Sequence, residues 1–163
     1  MLSWPAFPWR PLAAVLVSAA AHAGSAEPPI AVVVGRASPS VVPLPLATSQ
    51  VYAIYARKRL LWPDRSPVLA VNLPASHPLR RSFSWGLFRH SPEDLQDYWN
   101  DAYFHGLLPP PVLGSEEAVL RFVAATPGAI GYVSLCLVDK RVEVAALIAS
   151  PDGTAPCPHG QGQ

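Results

Sequence analysis

Apolar positions in this chain fall into blocks of two periods, separated by polar, Pro-rich turns. Ile30 to Gly35 (IAVVVG) is a continuous apolar run that predicts a strand covered on both faces. Val68 to Val71 (VLAV) predicts a second strand, followed by a turn carrying Asn72, Pro74, Ser76 and His77. Beyond it Leu79, Phe83 and Leu87 recur at i, i+4 and i+8, which predicts a helix from near His77 to Phe88 with one buried face. A strand that delivers a polar turn to a helix start can be a plain connection. It can also be an anion site, because unpaired N–H groups and the positive end of the helix dipole meet there.

The same two periods run through the rest of the chain. Ala47 to Arg57 predicts a helix capped by Thr48 or Ser49, with Val51, Ile54 and Tyr55 inward. Ser91–Pro92–Glu93–Asp94 predicts a helix start, and Leu95, Tyr98, Trp99 and Ala102 form its apolar stripe. Its acids Glu93, Asp97 and Asp101 share another face and read as a wet side rather than a metal site. Ser115 caps a further helix, with Glu116 and Glu117 in its first turn and Val119, Phe122 and Val123 inward. Ala129 to Val138 and Val142 to Ile148 predict the last two strands, joined by a turn at Asp139–Lys140–Arg141. The order predicts an α/β fold: a mixed sheet of four or five strands with helices on its faces. Trp85, Trp99, Tyr103 and Phe104 are expected in the core, the alternative being an exposed contact patch.

Composition changes the picture at the two ends. Residues 1–11 hold a single charge, Arg10, and Leu12 to Ala21 is an uninterrupted small-apolar run. Small residues follow at Ala21 and Ala23, with a second set at Gly24–Ser25–Ala26, the layout of a secretory signal peptide. Residues 1–23 are therefore expected to be a leader, with 26 as a later cut and an uncleaved anchor as the alternative. Residues 27–149 make one α/β domain, and residues 150–163, rich in Pro and Gly, a flexible tail. No further stretch is apolar enough to cross a bilayer, and the expected location is periplasmic or secreted. In that setting Cys136 and Cys157 can form a disulfide, the alternative being two free thiols.

Of the 163 residues only 14% are charged, and the net charge is +1. That argues against a nucleic-acid partner, which needs a concentrated basic surface; Arg57–Lys58–Arg59 is the one basic run. The five histidines lack metal-ligand spacing, and the chain contains neither a nucleophile elbow nor a phosphate-binding Gly-rich loop. Neither enzymatic activity nor a cofactor is expected.

The order of motifs resembles the phosphate-type periplasmic substrate-binding proteins, the solute receptors of ABC importers. The elements that carry the resemblance are VVVGRASPS, the helix ending in a basic turn before Trp62–Pro63–Asp64, the turn PASHPLRRSF, SPEDLQDYWNDAYFHG, SEEAVLRFV and TPGAIGYV. They span roughly Ile30 to Ile148, and the W-P-D turn and Thr126 to Val133 are the most specific. The segments resemble mainly the second of the family's two lobes, which implies one lobe of a type II periplasmic binding protein. Where the family carries an anion-chelating turn of the Asp-x-Ser-Gly-Thr kind, this chain has Leu73–Pro74–Ala75–Ser76–His77–Pro78–Leu79. Ser76 is the remaining hydroxyl, and Pro78 removes one N–H donor. The resemblance implies an exported solute-binding module that takes phosphate or another oxyanion weakly. Its ligand residues would be Ser76, His77 and Arg80, with Ser38 and Ser40 from the first loop, and its partners importer subunits. The second reading is a non-catalytic envelope accessory protein that keeps the lobe, binds a protein partner and has lost the ligand.

Overall fold

The computed structural model describes residues 28–36, 44–149 and Cys157. The predicted leader, Ser38, Ser40 and all of the tail except Cys157 lie outside these residues. The element order is β1 (Ile30–Gly35), α1 (Thr48–Tyr55), β2 (Leu69–Ala70), α2 (Pro78–Phe88), α3 (Gln96–Phe104), α4 (Glu116–Ala125), β3 (Ala129–Ser134) and β4 (Val142–Ile148). The four strands form one sheet in the order β2-β3-β1-β4. β2 runs parallel to β3, whereas β1 is antiparallel to both β3 and β4. The mixed α/β sheet expected from the sequence is the one observed.

β1 lies inside the sheet, and Ile30 to Val34 are fully buried, as a β-branched run covered on both faces requires. Gly131 on β3 faces α4: a Cβ there would collide with Val119 and crowd Val123. Its neighbour Tyr132 points to the opposite face, where its ring stacks on Phe83 of α2 at 3.8 Å and meets the edge of Tyr55 of α1. The sheet is thus a middle layer, with α4 on one side and α1 and α2 on the other. The Tyr132 hydroxyl accepts from the Leu73 N–H at 3.2 Å and donates to Asn72 Oδ1 at 3.3 Å. The Tyr55 hydroxyl donates to the Val71 carbonyl. Two buried phenols therefore hold the end of the β2 strand and the turn after it.

The two most specific sequence motifs pack on each other. Buried Trp62 of the W-P-D turn donates its indole N–H to the Gly128 carbonyl at 2.9 Å. Gly128 has φ +79°, and a Cβ there would lie 2.7 Å from the Pro67 carbonyl oxygen. Only glycine meets both demands.

Several boundaries differ from the expectation, each for a local reason. α1 is capped neither by Thr48 nor by Ser49: Leu46 is pinned to β4 through the Ala145 carbonyl, and the Gln50 side chain accepts the Ala47 N–H instead. Ser91 and Asp94 exchange two side chain–backbone bonds that close a separate turn, so regular helix begins only at Gln96. The predicted stripe of α3 is buried at Leu95 and Ala102, while Tyr98 stays exposed. In α4 Leu120 is buried and Phe122 only half-buried. β3 stops at Ser134 rather than Val138, because Ser134 turns its hydroxyl onto the Cys136 N–H and starts a 3₁₀ turn. Cys136 in that turn is joined to Cys157. Trp85, Tyr103 and Phe104 are exposed, and Phe104 at 84% is the most exposed large apolar side chain among the described residues.

Two measurements check this packing. Gly128→Ala is expected to cost about 2 kcal/mol or more in urea unfolding, from left-handed strain plus the clash at Pro67. Gly106→Ala, with φ +77° and nothing within 4 Å of its Cβ, should cost only the backbone part. Burial pushes the Tyr132 phenol up to about 12 and the Tyr55 phenol well above its usual value. Above pH 10 the unfolded chain releases protons that the folded chain keeps, so stability falls between pH 10 and 12. The Tyr132 share is about 2–3 kcal/mol, and Tyr132→Phe should make unfolding midpoints across that range visibly less steep.

Candidate functional site

The C-terminal ends of β2 and β3 and the N-terminal ends of α2 and α4 lie at one edge of the sheet. This follows from topology: β2 and β3 are parallel, and each is flanked by a helix whose first turn sits at the strand's carboxyl end. Open α/β sheets bind ligands at such an edge. Here a groove of about 460 Å³ is lined by His77, Leu79, Glu116, Ser134 and Cys136, among others.

α2 begins as the sequence predicts, with His77 as its cap, but the cap leaves little for a ligand. The His77 ring accepts the Leu79 N–H through Nδ1 at 3.2 Å. The His77 carbonyl takes the N–H groups of both Arg80 and Arg81, at 3.0 and 3.2 Å. Pro78 has no N–H at all. Every donor of the first turn is thus spent inside the chain, and any anion must be met by side chains.

The predicted residues divide by burial. Ser76 is exposed on the turn and His77 is half-buried in the groove, with Nε2 4.0 Å from Glu116 Oε1. Arg80 does not line this groove; it is buried, only 8% exposed. Its Nε has no hydrogen-bond partner, and Arg80 forms no ion pair among the described residues. The Arg80 charge acts on both buried phenols, opposing the effect of burial on Tyr55 and Tyr132. Ser38 and Ser40 cannot be placed with them, since they lie outside the described residues.

Sequence reading missed Glu116 as part of this edge. Its carboxylate accepts the Ser134 N–H at 2.6 Å, so it occupies the end of β3 as a bound anion would. Its place in a helix first turn pointed to a cap, and nothing local ties it to a strand 18 residues on. Glu117 has a separate role, taking Arg141 in a two-pronged pair at 2.8 Å on each arm. Among the described residues no group of three or more His, Cys, Asp or Glu could hold a metal ion. Nor is any helix among them long and apolar enough to cross a membrane.

No family model matches the sequence, and no curated protein matches it. Solved structures do. An ABC-type phosphate transport receptor from Vibrio cholerae superposes with a TM-score of 0.60 at 24% identity, covering 73% of this chain and 46% of the receptor. A putative phosphate ABC transporter substrate-binding protein with bound phosphate from Clostridium perfringens gives 0.58 at 20%, covering 74% and 45%. PstS from Borrelia burgdorferi gives 0.56 at 17%, covering 80% and 50%. The chain spans about half the length of each. At these identities the likeness is one of fold: a four-stranded α/β unit resembling one lobe of an ABC-transporter solute-binding protein.

Proposed function

We propose that this chain is an exported solute-binding module of the ABC-importer receptor type that takes a small oxyanion such as phosphate. The observation that carries the reading is Arg80. A buried guanidinium without a carboxylate is costly, and an anion at the sheet edge would relieve that cost. Arg80 supplies the charge, while Ser76 and His77 at the mouth supply a hydroxyl and a ring nitrogen. With the first-turn amides closed off and the Glu116 carboxylate close by, binding is weak.

The second reading, an envelope accessory protein, is favoured by the exposure of Tyr103 and Phe104 at the end of α3. Apolar side chains paired edge-on in solvent suit a protein contact better than an anion. A photo-crosslinking residue at position 104 should then give a discrete product in the envelope fraction, and its absence removes this reading.

Calorimetry and thermal unfolding with phosphate, sulfate and molybdate test the first. Phosphate is expected to bind with Kd on the order of 1 mM and to raise Tm. Arg80→Gln should weaken binding at least about tenfold, the cost of losing a charge-assisted hydrogen bond. In anion-free buffer Arg80→Met should unfold at higher denaturant than the parent, because an unpaired buried charge has gone. No heat with any of the three anions at millimolar concentration removes the proposal. A destabilised Arg80→Met would show that the guanidinium serves packing instead.

A further inference from the structure

A small pocket opens where the C-terminal ends of α1 and α2 meet the start of α3. Its volume is about 290 Å³, at the small end of the roughly 300–1,000 Å³ typical of sites for drug-sized ligands. The buried residues Ala56 and Leu95 form its base. Three aromatic side chains, Tyr52, Phe88 and Tyr98, stand around it. Tyr52 and Phe88 make a corner, their ring centroids 5.3 Å apart and their planes tilted by 53°. Tyr98 is anchored through its hydroxyl, which donates to the Ala56 carbonyl at 2.6 Å.

The electrostatics of this pocket favour a cation. Aromatic faces carry negative π density, and the closing turns of α1 and α2 bring the negative poles of two helix dipoles to the same corner. Asp94 adds a full negative charge. Hydrogen bonds from Ser91 hold its carboxyl below the usual range, and it forms no ion pair among the described residues. No Lys or Arg lines the pocket, and His90 is its one basic group. The Tyr52 ring already attracts an ammonium: Lys58 Nζ, which is not part of the lining, lies 5.1 Å from its centroid. We propose that this pocket binds a quaternary ammonium group, the trimethylammonium head of a small solute or of a lipid. The three rings take its methyl groups, and Asp94 supplies the counter-charge.

The polar groups select a quaternary over a primary ammonium. A primary ammonium carries three donors, each of which needs an acceptor once water is displaced. Here Asp94 Oδ2 already takes the Ser91 N–H, and the Ala56 carbonyl takes the Tyr98 hydroxyl. A trimethylammonium has no N–H to satisfy and lays its methyl groups on the ring faces, where desolvation strengthens the cation–π attraction. The pocket stands at the opposite end of α2 from His77, and that helix of 11 residues is about 16 Å long. It therefore stands or falls independently of anion binding at the sheet edge.

Calorimetry of the full chain at mildly alkaline pH tests the proposal with choline, ethanolamine and the neutral tert-butyl isostere of choline. Choline is expected to bind at least about tenfold tighter than either. Tyr52→Leu and Phe88→Leu keep apolar bulk but remove a ring face, and each should erase that preference. Trp85→Leu, which removes an exposed ring outside the pocket, should preserve it. Asp94→Asn can still accept from Ser91 and should weaken choline while leaving the isostere unchanged. No heat with choline, equal binding of choline and its isostere, or a preference that survives Tyr52→Leu would overturn the assignment. So would choline binding that appears only in Lys58→Ala, since the rings would then serve the chain's own lysine. Sedimentation with phosphatidylcholine but not phosphatidylglycerol vesicles, alongside choline binding, identifies a lipid head as the source. Choline binding without vesicle binding identifies a free solute, and both results support the site. Matching far-UV circular dichroism of each variant and the parent keeps the comparison free of misfolding.

Discussion

The phenol of Tyr132 ties the sheet to the turn on which the candidate site depends. Its ring fills the space between β3, α1 and α2, stacked on Phe83 and edge-on to Tyr55. Its hydroxyl, with nowhere to reach water, must find partners inside, and finds them at Leu73 and Asn72. Those residues form the start of the turn that leads through Ser76 and His77 into α2. The strand end and the start of the turn therefore share one support. Arg80 lies close enough to act on both phenols, so the same network sets the surroundings of the buried charge.

What was legible in the sequence is what a single periodic face determines. The bounds of β1 follow from five consecutive apolar residues with no polar side to present, and Leu79, Phe83 and Leu87 turn inward as their spacing requires. Where local bonds compete with periodicity, the pattern misleads. Ser91 and Asp94 have the chemistry of a helix cap but spend it on a closed turn, and Ser134 ends a strand whose apolar pattern continues. The aromatics fail for a different reason. Tyr103 and Phe104 have the composition of core, and only the position of α3 at the periphery leaves them in solvent.

The candidate site was legible as a place and not as a mechanism. Sequence located the helix start at His77, but not that its ring and carbonyl would absorb every first-turn amide. That outcome depends on ring rotation and backbone geometry, which no residue spacing encodes. Burial of Arg80 was equally hidden, because a basic residue one turn into an amphipathic helix usually stays wet. Glu116 reaches Ser134 only through the crossover that brings α4 back beside β3.

The cations among the described residues sort by environment. Arg81 and Arg141 are exposed or nearly so, and each has found a carboxylate, Glu93 for the first and Glu117 and Asp139 for the second. Such pairs contribute little to stability and call for no further partner. Arg80 is the reverse: it is buried, its Nε has no hydrogen-bond partner, and it meets no acid among the described residues. Holding a guanidinium dry without a counter-charge costs free energy that a methionine in its place would not. An anion at the sheet edge, as proposed, would supply the counter-charge that Arg80 lacks among the described residues.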